Sequence, residues 1–206
     1  MLKESLRESL AQVGVALREP EEFAVRWDRT GGYAKIVWIA LGLTAVLGTT
    51  LYGLTMGIGS GPVAMGMKAS LLTLAAGLAW AIPLPALYVL NSLAGSRLRA
   101  STTLLAALVT TSWGGFALIA SIPINWFFSV AIPAQSPELL SAETAARIVF
   151  GVNLLVFAGV GISMVDVFRR VMDTLEPASD RHPVWFMALV GVIGSQLFYL
   201  FGLFAL

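Results

Sequence analysis

The chain has 206 residues, 57% of them hydrophobic and 12% charged, against roughly 25% charged in an average soluble domain, so it cannot cover a water-facing surface. Thirteen Lys and Arg against twelve Asp and Glu leave a net charge of +1, which removes the basic field that nucleic-acid binders use on phosphates. The absence of Cys excludes disulfides, thiolate metal ligands, iron–sulfur clusters and c-type haem attachment together.

Residues 1–30 carry eleven charges and no continuous apolar stretch, so no cleavable signal peptide is expected and insertion falls to the spans themselves. Within this segment Leu2, Leu6, Leu10, Val13 and Leu17 recur at helical spacing and predict an amphipathic helix on the membrane interface or on the loops of its own bundle. Pro20 interrupts it. Phe23 and Trp27, four apart, predict a second short helix dipping into the interface before Gly31-Gly32.

A charge facing lipid costs about 2.5 to 3.5 kcal/mol at a helix centre, so uncharged runs mark spans. Five runs exist, at 36–67, 69–96, 100–137, 148–165 and 183–206, each near or above the roughly 18 to 20 residues that cross a hydrocarbon core. They predict helices at about 34–56, 68–91, 101–131, 145–170 and 184–205. The expected fold is therefore all-α. It is a polytopic bundle of five transmembrane helices over residues 33–206, preceded by a cytoplasmic amphipathic segment over 1–32.

Orientation follows from Lys and Arg. With the N-terminus inside, Lys3, Arg7, Arg18, Arg26, Arg29, Lys35, Arg97, Arg99, Arg169, Arg170 and Arg181 are cytoplasmic, and only Lys68 and Arg147 lie outside. Such asymmetry places the N-terminus in the cytoplasm and Leu206 on the far side, in a bacterial cytoplasmic membrane by expectation. The loop around Pro133 and Pro137 is the largest outer one.

Residues able to do chemistry are sparse. The single histidine, His182, stands beside Pro183 in a predicted loop, so no span offers an imidazole to a haem or a proton relay. Acidic residues are missing from the span interiors, and Asp166 is placed to pair with Arg169 or Arg170 on its own helix. No catalytic, cofactor-binding or metal site is predicted, and no cofactor. The polar positions at membrane depth are Asn91, Asn125, Asn153 and Gln196, whose amides are expected to bond across helices. Pro83 and Pro85 in the second span and Pro123 in the third delete helical hydrogen bonds and predict kinks. Gly77 with Ala81, Gly114 with Gly115, Gly159 with Gly161, and Gly191 with Gly194 are the expected close-packing positions. Tyr33, Trp38, Trp126 and Trp185 fit aromatic belts, while Trp80 and Trp113 lie deeper.

The segment LREPEEFAVRW over 17–27, followed by five spans, resembles the entry segment of bacterial members of the Yip family, the Ypt/Rab-interacting membrane proteins. So does ALYVLNSLAGSRLRASTTLLAALVTTSWGGFALIASIP over 86–123, with its span, basic Gly-containing loop and following span. Gly115-Phe116 stands where eukaryotic members carry Gly-Tyr. The resemblance implies five spans, a cytoplasmic N-terminus and a non-enzymatic role, with no catalytic residue to carry over. The expected function is that of a scaffold or accessory subunit whose partners are the bilayer, other membrane proteins or a second copy. The competing expectation is a small permease with a cavity at the Pro83, Pro85 and Pro123 kinks, lined by the four amides.

Overall fold

The computed structural model describes residues 11–30, 35–93, 95–96, 98–132, 141–176 and 184–203, and among them there are helices and no strand. Leu2, Leu6, Leu10, Tyr33, Arg97, Pro133, Pro137 and His182 lie outside the described residues, and of Asn91 and Trp185 only the backbone is described. Helix α1 covers 11–18, followed by α2 (Pro20–Thr30), α3 (Lys35–Met56), a 3-10 turn (Ile58–Ser60), α4 (Pro62–Ala81), α5 (Leu84–Leu93), α6 (Ala100–Trp126), a π turn (Phe127–Ala131), α7 (Ala142–Leu175) and α8 (Val184–Leu200).

Four helical stretches are long and apolar enough to cross a membrane: Lys35–Met56, Pro62–Val89, Ala100–Ala131 and Glu143–Leu175. That pattern is the signature of a membrane protein. Five such spans were the expectation from the uncharged runs. The last run supplies only the 17-residue α8 among the described residues, because the chain leaves the helix in a turn at Phe201–Leu203, where Gly202 takes φ 61°.

Local signals account for the other boundaries. Gly61 adopts φ 91° and Pro62 opens α4, a first-turn position where the missing N–H costs nothing. Helix α4 therefore begins more than a turn before Lys68, which the charge pattern reads as a boundary. The lysine is accommodated because its Nζ donates to the carbonyls of Gly202 at 2.8 Å and Leu203 at 3.1 Å. Carbonyls at a helix C-terminus have no intrahelical donor, so this cation both loses its isolation and fixes the end of α8 to α4. Pro83 ends α4 and Pro85 falls in the first turn of α5, which starts with the Leu87 N–H on the Pro83 carbonyl at 2.9 Å. At Pro123, by contrast, α6 continues without a break. The Ser141 hydroxyl accepts the Thr144 N–H at 3.2 Å and caps α7.

Helix α3 is central, packed along α6 on one side and α4 on the other; α7 leans on α6, and α8 on α4. The α3–α6 crossing is as close as backbones allow. A Cβ on Gly48 would overlap the Gly115 carbonyl, and one on Gly115 would come within 2.8 Å of the Thr44 oxygen. Between α3 and α4 the same device recurs, where a Cβ on Gly53 would sit 2.5 Å from the Ala69 Cα. The Ser112 hydroxyl adds a 2.7 Å bond across the crossing to the Leu41 carbonyl.

Among the glycines expected to pack closely, the outcome divides. Gly115 does, Gly114 faces the Met164 side chain, and Gly194 lies in ordinary contact with Ala79. Gly77, Gly159, Gly161 and Gly191 have nothing within 4 Å of an added Cβ. Their faces point away from the other helices, a fact that spacing along one helix cannot encode. Of the two placements open to the first N-terminal helix, its burial agrees with packing on its own bundle, and the second helix, expected to dip into the interface, packs there too. Val13, Ala16, Phe23 and Trp27 are buried in one cluster with Val37, Leu41, Leu105 and Val109, so their apolar faces serve the bundle itself.

Candidate functional site

Helix α3 carries Thr49, Thr50, Tyr52 and Thr55 in little more than a turn and a half, and from its place between α4 and α6 these side chains reach both of them and, through Tyr52, α7. On the α4 side, Thr49 and Thr50 both meet the Thr73 hydroxyl, at 3.2 and 2.9 Å. Toward α7, the fully buried Tyr52 donates its hydroxyl to Asn153 Oδ1 at 3.0 Å, and Asn153 Nδ2 donates to the Val149 carbonyl at 2.9 Å. Toward α6, Asn125 Nδ2 donates to the Thr55 Oγ1 at 2.8 Å, while Asn125 Oδ1 accepts from Ser129 at 3.3 Å. The Thr55 hydroxyl donates to the Tyr52 carbonyl at 2.6 Å and joins the two halves.

Asn125 lies just past Pro123. A proline withdraws one donor from the ladder, here the one that the Ile119 carbonyl would accept, and the chain then enters the π turn that holds Ser129. The Ser129 hydroxyl is thereby aimed at the amide one turn back. The Tyr52 ring also packs edge-on against Phe157 at 5.4 Å, and Phe157 tilts against Phe198 at 5.1 Å, so the ring that carries the hydroxyl is held in an aromatic row.

Of the four amides singled out from the sequence, two converge on α3: Asn125 is fully buried and Asn153 is 4% exposed. Gln196 does not join them; it stands on the exposed side of α8. The side chain of Asn91 lies outside the described residues. Tyr52, Thr55 and Ser129 were not singled out by sequence reasoning. Their signal is modest, a Tyr and Thr three apart on α3 and an Asn and Ser four apart at the end of α6 and in the π turn that continues it, which places each pair on one helix face.

A second polar group lies at the opposite end of the bundle. Arg170 on α7 meets Asp166 of its own helix at 3.0 Å and Glu21 of α2 at 2.5 Å. The neighbouring Arg169 pairs with Asp173 at 3.6 Å rather than with Asp166. On α2, Glu22 accepts from Arg26 at 3.1 Å. The Glu19 carboxyl is raised above its ordinary range by its hydrogen bond to Glu22 and by that residue's charge. Glu22 is lowered by the same hydrogen bond and by Arg26.

Chemically, the α3 cluster is a set of neutral donors and acceptors matched to one another across four helices, α3, α4, α6 and α7. No family model, curated protein or solved structure matches the chain.

Proposed function

We propose that this is a non-enzymatic integral membrane protein, a scaffold or accessory subunit that works by lateral packing against another membrane protein or a second copy. The observation that carries the reading is how Asn125 and Asn153 are used. Both are bonded to side chains of α3, Thr55 and Tyr52, inside the bundle. Amides spent in this way hold helices together. The outward surface is, by contrast, apolar and extensive. Helix α7 keeps 6% of its most apolar window buried, against 50% for the span containing α6, and Leu155 and Ile162 on it are 75% and 72% exposed.

The threading that suits this reading has five passes, α8 being the shortest, with a cytoplasmic N-terminus. Eleven of thirteen Lys and Arg then lie inside. Both outer cations have acceptors, Lys68 on the end of α8 and Arg147 on Glu143 at 2.6 Å. The Yip-like segments over 17–27 and 86–123 support the same threading. Reporter fusions after Gly95 and Pro177 are expected to read cytoplasmic, and an external signal from either would contradict it.

Photo-crosslinkers placed at Leu155 and Ile162 test the function. The reading predicts discrete protein adducts from these positions in cells. Adducts to lipid alone, together with solute flux through vesicles reconstituted with the pure protein, would replace it with the permease reading.

A further inference from the structure

We propose that α2 is a detachable strap that closes the N-terminal end of the bundle and is latched by Glu21 on Arg170. The proposal goes beyond the scaffold reading and does not depend on it. Helix α2 lies over α6 and α7 and belongs to two apolar clusters at once. Ala24 is packed in the one containing Trp80, Leu87 and Phe168. Phe23 and Trp27 enter the other, beside Leu41, Leu105 and Val109, with Trp27 edge-on to Trp38 at 5.0 Å. Lifting this single helix of 11 residues would open both clusters to water. Its other face, with Glu22, Arg26, Asp28 and Arg29, is exposed and charged, so the strap is amphipathic and only its inner face is held by the bundle.

The latch is built so that opening strands no charge. Arg170 holds Asp166 on its own helix at 3.0 Å as well as Glu21 at 2.5 Å. When Glu21 leaves, the guanidinium keeps a carboxylate. The Glu21 side chain, already 26% exposed, gains full hydration. A pair buried in the bundle would behave otherwise, since breaking it leaves an unsatisfied group behind. The strap therefore decides whether the apolar ends of α3, α6 and α7 are covered, and the ion pair biases that decision.

Because the chain contains no Cys, single-cysteine reporters are clean. Ala24→Cys, at a fully buried position on the inward face of the strap, and Ala75→Cys, fully buried on α4 in the cluster with Tyr52 and Leu118, are labelled with a maleimide in purified detergent-solubilised protein. Both are expected to react slowly. Adding Glu21→Lys is expected to speed labelling at Ala24→Cys by about fivefold, the factor that an exposed ion pair near the top of its usual range supports, while Ala75→Cys stays protected. Combining Glu21→Lys with Arg170→Glu restores slow labelling. Equal rates at Ala24→Cys with and without Glu21→Lys would overturn the latch, as would failure of the charge-swapped pair to restore protection. Equal acceleration at Ala75→Cys would overturn the strap, since the bundle would then be loosening as a whole. If Glu21→Lys does not fold, Glu21→Gln is read in the same way with a smaller rise.

Discussion

Glycines divide the molecule into two regions that use the same residue for different ends. Where α3 crosses α6 and α4, Gly48, Gly115 and Gly53 stand where any side chain would strike backbone. On α7 and midway along α8, Gly159, Gly161 and Gly191 meet nothing. Polar groups divide in the same way. Around α3 the amides and hydroxyls are matched across helices, whereas Gln196 and Tyr199 stand exposed on α8. One region is finished within the chain, and the other is a surface. Small residues in an apolar helix therefore say that close approach is permitted; only the fold says whether anything approaches.

The sharpest way to break this comparison is Gly48→Leu. The side chain has no direction to go except into the Gly115 carbonyl, so the α3–α6 crossing must separate and lose dispersion contacts along its length. A cost of at least about 3 kcal/mol is expected, at or beyond the upper end of usual overpacking penalties, read as loss of the folded species in detergent. Recovery of a normally folded protein would mean that the crossing is not tight.

A smaller effect is expected at Asn125. Replacing it with Leu removes the partner of Thr55 and of Ser129, and a loss of about 1 to 2 kcal/mol is expected from bonds of this kind in lipid-embedded bundles. The thermal midpoint in detergent should fall by a few degrees with insertion unchanged. Lys68→Met tests the same logic at the tip of the bundle. It removes the donor to Gly202 and Leu203, so protease cleavage near the end of α8 should rise while the other helices remain protected. Unchanged cleavage would show that α8 is held by its contacts along α4 alone.

Gly159→Leu and Gly191→Leu are expected to have the least effect, within about 0.5 kcal/mol in the isolated protein, as at other positions away from packed features. If either substitution spares the purified monomer but abolishes cellular function, the outward faces are working surfaces. Unfolding of the isolated protein by Gly159→Leu would erase the distinction between the two regions.

Much of the architecture was legible because charge is so costly in hydrocarbon. The helices placed on the uncharged runs match α3, and α6 with its π turn, to within a residue or two and end within two residues of α5, while α7 starts three residues earlier and ends five later than its placement. The start of α4 was not legible, since Lys68 reads as a boundary until its acceptors on the distant chain end are known. The ion pair expected at Asp166 is present with Arg170, but Glu21, 149 positions away, could not be assigned to it from spacing. Within the candidate site, Asn125 and Asn153 stood out as amides in apolar runs. Tyr52 did not, because an aromatic in a span reads as filler until the hydroxyl's partner, 101 residues on, is brought to it. Phe23 and Trp27 were legible as one helical face, but the same pattern suits a membrane interface and a protein groove equally.

The central claim is that Asn125 and Asn153 are spent on the protein itself, and a double-mutant cycle between Tyr52→Phe and Asn153→Leu tests it most directly. If the two side chains bond only to each other and to their own helices, each substitution alone and both together should destabilise the purified protein non-additively. The expected coupling is about 0.5 to 1.7 kcal/mol, the range of interhelical hydrogen bonds measured by such cycles. Additive effects, with Asn153→Leu inactivating a protein that is fully folded and inserted, would contradict the claim and make Asn153 part of a ligand path.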